Sequence, residues 1–108
     1  MIETKTRTLV ANYSDLPVRA GYAVTIAGSE IALFKVTNGK VFGIENRSPH
    51  PKGGVLTEGL VSGEYVFCPV YDWKISLANG KVQAPDEGQV KTYQVEVEAD
   101  NVYIINKG

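Results

Sequence analysis

Residues 46–54 read NRSPHPKGG, and residues 67–73 read FCPVYDW. Each stretch sets a proline beside side chains able to hold a metal: Ser48 and His50 in the first, Cys68 and Tyr71 in the second. Two pairs of donors have the form of a four-ligand metal site. A serine hydroxyl and a tyrosine phenol are poor members of such a site, being neutral oxygen donors that must first lose a proton. The segments around the two pairs decide how they are read.

On both sides of them the chain alternates short apolar runs with tight turns. GYAVTIAG and EIALFKV are rich in β-branched and aromatic residues and meet at Gly28-Ser29. EIALFKV and KVFGIEN meet at Asn38-Gly39, a dipeptide suited to a type I′ hairpin, and Asn79-Gly80 repeats the signal between WKISL and KVQA. In TYQVEVEADNVYII, Tyr93, Val95 and Val97 fall on one face and Gln94, Glu96 and Glu98 on the other. That period of two predicts a half-buried strand, turned at Asp100-Asn101 into a last strand from Val102 to Ile105. The one helical signal is a single turn near YSDLP, which Ser14 or Asp15 could cap. Many short strands at near-regular spacing predict an all-β sandwich or small barrel.

The segment from Asn46 to Gly59 differs from its surroundings. It holds Pro49, Pro51, Gly53, Gly54 and Gly59 and little that suits a strand. Loops of this length in small domains are functional or disordered. Together with the turn at Cys68–Asp72, it puts two shaped loops on a β scaffold, where binding groups are commonly carried.

Composition narrows the function classes. With 108 residues, 44% of them hydrophobic, the chain is expected to form one domain spanning 1–108 with a real core. A single cysteine precludes an intramolecular disulfide, in keeping with a reducing cytoplasm. Eleven basic and twelve acidic residues are interspersed, giving a net charge of −1 and no basic face for nucleic acid. No apolar run nears the roughly 20 residues that span a bilayer, and the first twenty residues show no signal peptide. The expectation is a cytoplasmic protein without nucleic-acid or membrane partners.

Residues 44–88, IENRSPHPKGGVLTEGLVSGEYVFCPVYDWKISLANGKVQAPDEG, resemble the core of a Rieske domain, whose pattern is Cys-x-His, a gap, and Cys-x-x-His. In that alignment Ser48 takes the first cysteine position, His50 the first histidine, Cys68 the second cysteine and Tyr71 the second histidine. The resemblance runs from LPVRAGYAVTIAG to VKTYQVEVEADNVYII. EGLVSGEYVFCP, DWKISL and DEGQVKTY are similar to phrases in the small subunits of NADH-dependent assimilatory nitrite reductase. It implies a Rieske-like fold of short antiparallel strands whose two loops form a former cluster-binding lobe.

A Rieske centre holds one iron with two thiolates and the other with two imidazoles. With Ser48 and Tyr71 in place, one iron lacks a thiolate and the other an imidazole. The chain is therefore expected to carry no 2Fe-2S cluster and no metal, and to have no catalytic residue of its own. Family members often read His-Lys-Gly-Gly where this chain reads His-Pro-Lys-Gly-Gly, so Pro51 is an addition to a loop that no metal need constrain. The resemblance further implies an accessory role in nitrate assimilation. The chain would bind the large subunit of nitrite reductase, NAD(P)H, which carries FAD, an iron–sulfur cluster and sirohaem and reduces nitrite to ammonium. Pro51, Lys52, Gly53, Gly54, Pro69, Asp72 and Trp73 are the candidate contact loops.

Each of these residues also has a plain structural reading. A lone cysteine beside an apolar strand serves as a small buried hydrophobe. His50 can pack a loop or touch a partner, Tyr71 can fill the space of an imidazole, and Trp73 can belong to the core. The other functions open to such a chain are a Rieske-type ferredoxin electron carrier, which requires a cluster, and a stand-alone non-redox binding module. A mononuclear site built on His50 and Cys68 would need further ligands from a partner.

Overall fold

The computed structural model describes residues 5–49, 54–69 and 72–107, and among them are nine strands and two short 3-10 turns. The strands are β1 (Lys5–Asn12), β2 (Gly21–Ile26), β3 (Ser29–Lys35), β4 (Val41–Glu45), β5 (Leu60–Ser62), β6 (Tyr65–Phe67), β7 (Lys74–Ser76), β8 (Thr92–Glu98) and β9 (Asn101–Lys107). They form a six-stranded antiparallel sheet ordered β1-β9-β8-β4-β3-β2, nearly closed on itself, and a three-stranded antiparallel sheet ordered β5-β6-β7. The expected all-β, Rieske-like architecture is the one observed.

The continuous apolar run of β3 follows from burial on both of its faces. Ile31 and Leu33 point into a core shared with Leu16, Val102 and Ile104, inside the curl of the large sheet. Ala32 and Phe34, with Val36 just beyond, point the other way, into a core shared with Ile44, Leu56, Val66, Cys68, Ile75 and Leu77. This second core joins the large sheet to the small one and to the loops. Fully burying a side chain such as Leu33 or Phe34 stabilises by about 1.5–3 kcal/mol, so β3 anchors both halves. Lys35 continues the run without an apolar tip. Its ammonium donates to the Tyr13 carbonyl at 3.0 Å and lies 4.2 Å above the Tyr13 ring.

The turns depart from expectation in detail. The β2–β3 hairpin turns at Ala27-Gly28, both with positive φ (49° and 83°), one residue earlier than Gly28-Ser29. At Asn38-Gly39 only Gly39 has positive φ. Val36 N–H donates to the Lys40 carbonyl and closes a three-residue loop, with the Asn38 side chain holding Lys40 N–H at 3.0 Å. A three-residue loop ending in a left-handed glycine replaces the type I′ turn there. The last hairpin turns at Ala99-Asp100, because β9 begins at Asn101. The expected helical turn is the 3-10 segment Tyr13–Asp15, a second one, Leu56–Glu58, having had no sequence signal, and neither Ser14 nor Asp15 caps the first. The Asp100 carboxylate does so from the neighbouring hairpin, accepting from Ser14 N and Ser14 Oγ, both at 2.9 Å.

Candidate functional site

The first loop leaves the large sheet at the end of β4, and a buried asparagine fixes its course. Asn46 donates its backbone N–H to the Glu30 carbonyl at 3.1 Å and its side-chain amide to Glu30 Oε1 at 2.8 Å. Its Oδ1 accepts from Thr57 N at 2.9 Å, which ties the start of the loop to the 3-10 turn Leu56–Glu58 at its end. Leu56 is fully buried in the second core, and a Cβ at Gly21 would overlap the Thr57 backbone. The returning chain can lie flat on β2 only because Gly21 has none.

Inside this frame the two loops meet through Ser48 and Cys68. Ser48 N–H donates to the Gly54 carbonyl at 3.0 Å and closes the first loop. Cys68 N–H donates to the Trp73 carbonyl at 2.9 Å and closes the second. The two side chains, twenty residues apart in sequence, are in contact: the Cys68 thiol donates to the Ser48 hydroxyl, Sγ to Oγ 3.0 Å. Both are withdrawn from water, with exposures of 0% for Cys68 and 5% for Ser48. Two donors on one tetrahedral metal, at about 2.0–2.3 Å each, stand roughly 3.5 Å apart. The shorter distance here is that of a hydrogen-bonded pair.

A third segment, which sequence reasoning did not connect with the site, supports the first loop. Val82 N–H donates to the Gly88 carbonyl at 2.9 Å, and Gly88 lies against Pro49. The available signal was the turn-rich APDEG at 84–88, the end of the stretch already singled out for its resemblance. Between the first loop, the β2–β3 turn and the stretch 89–91 runs an open groove of about 1130 Å³, lined among others by Glu30, Glu45, Arg47 and Lys91. Two carboxylates and two cations leave it without an excess of either sign. Glu45 Oε1 accepts from Lys91 N at 3.2 Å, and the Lys91 ammonium lies 5.0 Å from the Tyr93 ring centre.

Of the residues singled out from sequence, Ser48 and Cys68 are brought together. Gly54 (φ +73°), Pro69 and Asp72 (φ +50°) are exposed, and a Cβ on Gly54 would stand 4.0 Å from Pro69 Cγ, so the two loop tips are neighbours. Trp73 is half-buried against the second core, leaving part of its ring at the surface. His50, Pro51, Lys52, Gly53 and Tyr71 lie outside the described residues. Among the described residues no three His, Cys, Asp or Glu side chains form a group that could hold a metal ion, and no helix is long and apolar enough to cross a membrane.

Comparison with known proteins bears on the fold and the family. The chain is 28% identical over 102 residues to the large subunit of nitrite reductase, NAD(P)H, from Klebsiella oxytoca, a match covering 91% of this chain and 11% of that protein. It thus spans about a tenth of that relative's length. A solved structure described as a nitrite reductase NADPH small subunit superposes with a TM-score of 0.79 at 27% identity, covering 92% of this chain and 97% of that one. A ferredoxin of Sphingomonas yanoikuyae B1 superposes with a TM-score of 0.81 at 25% identity, covering 92% and 97%. Residues 7–105 match the Rieske-like 2Fe-2S domain family, and the chain belongs to it.

Proposed function

We propose that this chain is the small, accessory subunit of an NAD(P)H-dependent nitrite reductase, and that it acts by binding the catalytic large subunit without a 2Fe-2S cluster of its own. The observation that carries the partner assignment is the match inside the Klebsiella oxytoca large subunit. There a segment equivalent to nearly all of this chain is part of the large polypeptide. A module joined covalently to its partner in one protein is a natural non-covalent subunit in another, since fusion only raises an effective concentration that an interface can replace. FAD, the iron–sulfur cluster and sirohaem would belong to the large subunit, where nitrite is reduced to ammonium.

The clusterless part of the reading rests on the donor set. A hydroxyl at position 48 and a phenol at position 71 stand where the Rieske pattern has a thiol and an imidazole. Those two substitutions also weigh against the second reading, an electron carrier, which the likeness to the Sphingomonas ferredoxin brings forward. In the accessory role the exposed loop tips at Gly54, Pro69 and Asp72 form the contact surface, held in shape by the buried residues beneath.

The test is purification without oxygen, followed by an absorption spectrum, an iron and sulfide assay, and a pull-down of the large subunit. Expected are a colourless protein and stoichiometric capture of the large subunit. Pro69→Lys, at an exposed position, should weaken capture at least tenfold without changing the melting temperature. Two irons and two sulfides per chain would overturn the clusterless reading. Failure to capture the large subunit would overturn the accessory role.

A further inference from the structure

Ser48 and Cys68 each do the same two things. Each closes its own loop with its backbone N–H, on Gly54 and on Trp73, and each turns its side chain toward the other loop. In the Rieske pattern these two positions carry the thiolates that grip one iron. We infer that the Ser48–Cys68 hydrogen bond does the mechanical part of the iron's work, tying the loops side chain to side chain where one metal would hold both. The inference rests on the clusterless reading above and is independent of which partner the chain binds.

Three features make the tie effective. The thiol is a weak donor in general, but here both groups are shielded from water, so no solvent molecule competes at equal strength. Cys68 belongs to the second core, with Phe34 of β3, Ile44 of β4 and Val66 of β6, which places the second loop relative to both sheets. The Ser48 hydroxyl is placed from the other side by Asn46, two residues earlier, with its hydrogen bonds to Glu30 and Thr57. Each half of the tie is thus fixed to a different part of the scaffold, and joining them fixes the loops to each other. The loop tips are then already shaped before a partner arrives, which lowers the entropy that binding must otherwise spend.

The experiment is a double-mutant cycle on the full chain, using Ser48→Ala, Cys68→Ala and the double variant, read by amide hydrogen exchange at positions 48 and 68. Each single variant should speed exchange at both positions by roughly fivefold, and the double variant should be no faster than the quicker single one. Rates that multiply in the double variant, or loosening confined to the mutated loop, would overturn the tie. In parallel, Cys68 of the Ser48→Ala variant should react with a small thiol reagent about fivefold faster than in the native chain, and equal rates would count against the proposal. The native chain is also incubated anaerobically with ferrous iron and sulfide. A cluster formed there would sink the clusterless reading, and the tie with it. No cluster together with multiplying exchange rates would sink the tie alone.

Discussion

Gly88 lies so close to Pro49 that a Cβ built on the glycine would stand 3.2 Å from the proline Cβ and 3.3 Å from Val82 Cγ2. Its φ of +149° is also one that side-chain-bearing residues rarely adopt. Gly88→Ala should therefore destabilise the chain by about 2 kcal/mol, lowering the melting temperature by roughly 10 °C. Gly28→Ala supplies the comparison, since Gly28 has φ +83° but open space where a Cβ would go. It should lower the melting temperature by only about half as much. Equal losses would show that contact with Pro49 contributes nothing.

Asn46 offers a test that depends on pH. In Asn46→Asp the amide that donates to Glu30 Oε1 becomes a carboxylate oxygen facing another carboxylate. Repulsion raises the pKa of the pair in the folded state. The penalty is then small below about pH 3, where both groups bind protons in either state, and it grows as pH rises through the carboxylate range. Urea denaturation should show a loss of about 3 kcal/mol at pH 7 and clearly less at pH 4. Asn46→Ala, which removes the hydrogen bonds without adding charge, should lose a similar amount at both. A pH-independent Asn46→Asp would show that Glu30 does not stay beside position 46.

The donor set can be rebuilt. Ser48→Cys combined with Tyr71→His and deletion of Pro51 restores the Cys-x-His and Cys-x-x-His pattern at the length usual in the family. After anaerobic incubation with iron and sulfide this variant should take up two irons per chain and absorb in the visible. Ser48→Cys alone should stay colourless, because one iron would still lack an imidazole. A colourless triple variant would mean that the loops no longer hold the shape a cluster needs.

On β1, Arg7 donates to Glu96 at 2.6 Å and lies over the Tyr103 ring at 4.2 Å. The hydrogen bond to Glu96 raises the guanidinium pKa above its usual value, against a smaller opposing effect of desolvation. A raised folded-state pKa contributes stability that is fully present below the unfolded value and is lost only as pH rises through the folded one. No pH dependence from Arg7 is expected between pH 5 and about 10, and for so exposed a pair Glu96→Gln should leave the melting temperature unchanged. A shift of several degrees would mean that this corner carries more of the fold than its exposure suggests.

The fold was largely legible because period-two patterns and turn residues are local signals. The alternation at Tyr93, Val95 and Glu96 reports a strand with no knowledge of its partner. The exact turns were not, because a hairpin's loop length is set by which backbone groups pair. Nothing local at Asn38-Gly39 shows that Val36 bonds to Lys40. In the same way, Asp100 caps a turn 86 residues earlier, a relation only the folded chain brings about. At the site, the ligand-position pattern singled out Ser48 and Cys68. Their direct contact, the asparagine frame behind it and the support from Gly88 depend on packing between segments that the sequence keeps apart.

The strand β3, with side chains alternately entering one core and the other, has a consequence for how such a chain can change over time. Its apolar residues are floor to one half of the molecule and roof to the other, so the two cores share one wall, and the loops add Leu56 and Cys68 to one of them. Substitutions at the loop tips leave that shared wall standing. On the clusterless reading proposed above, the donors of the two loops have changed while that wall, and the architecture built on it, was passed on.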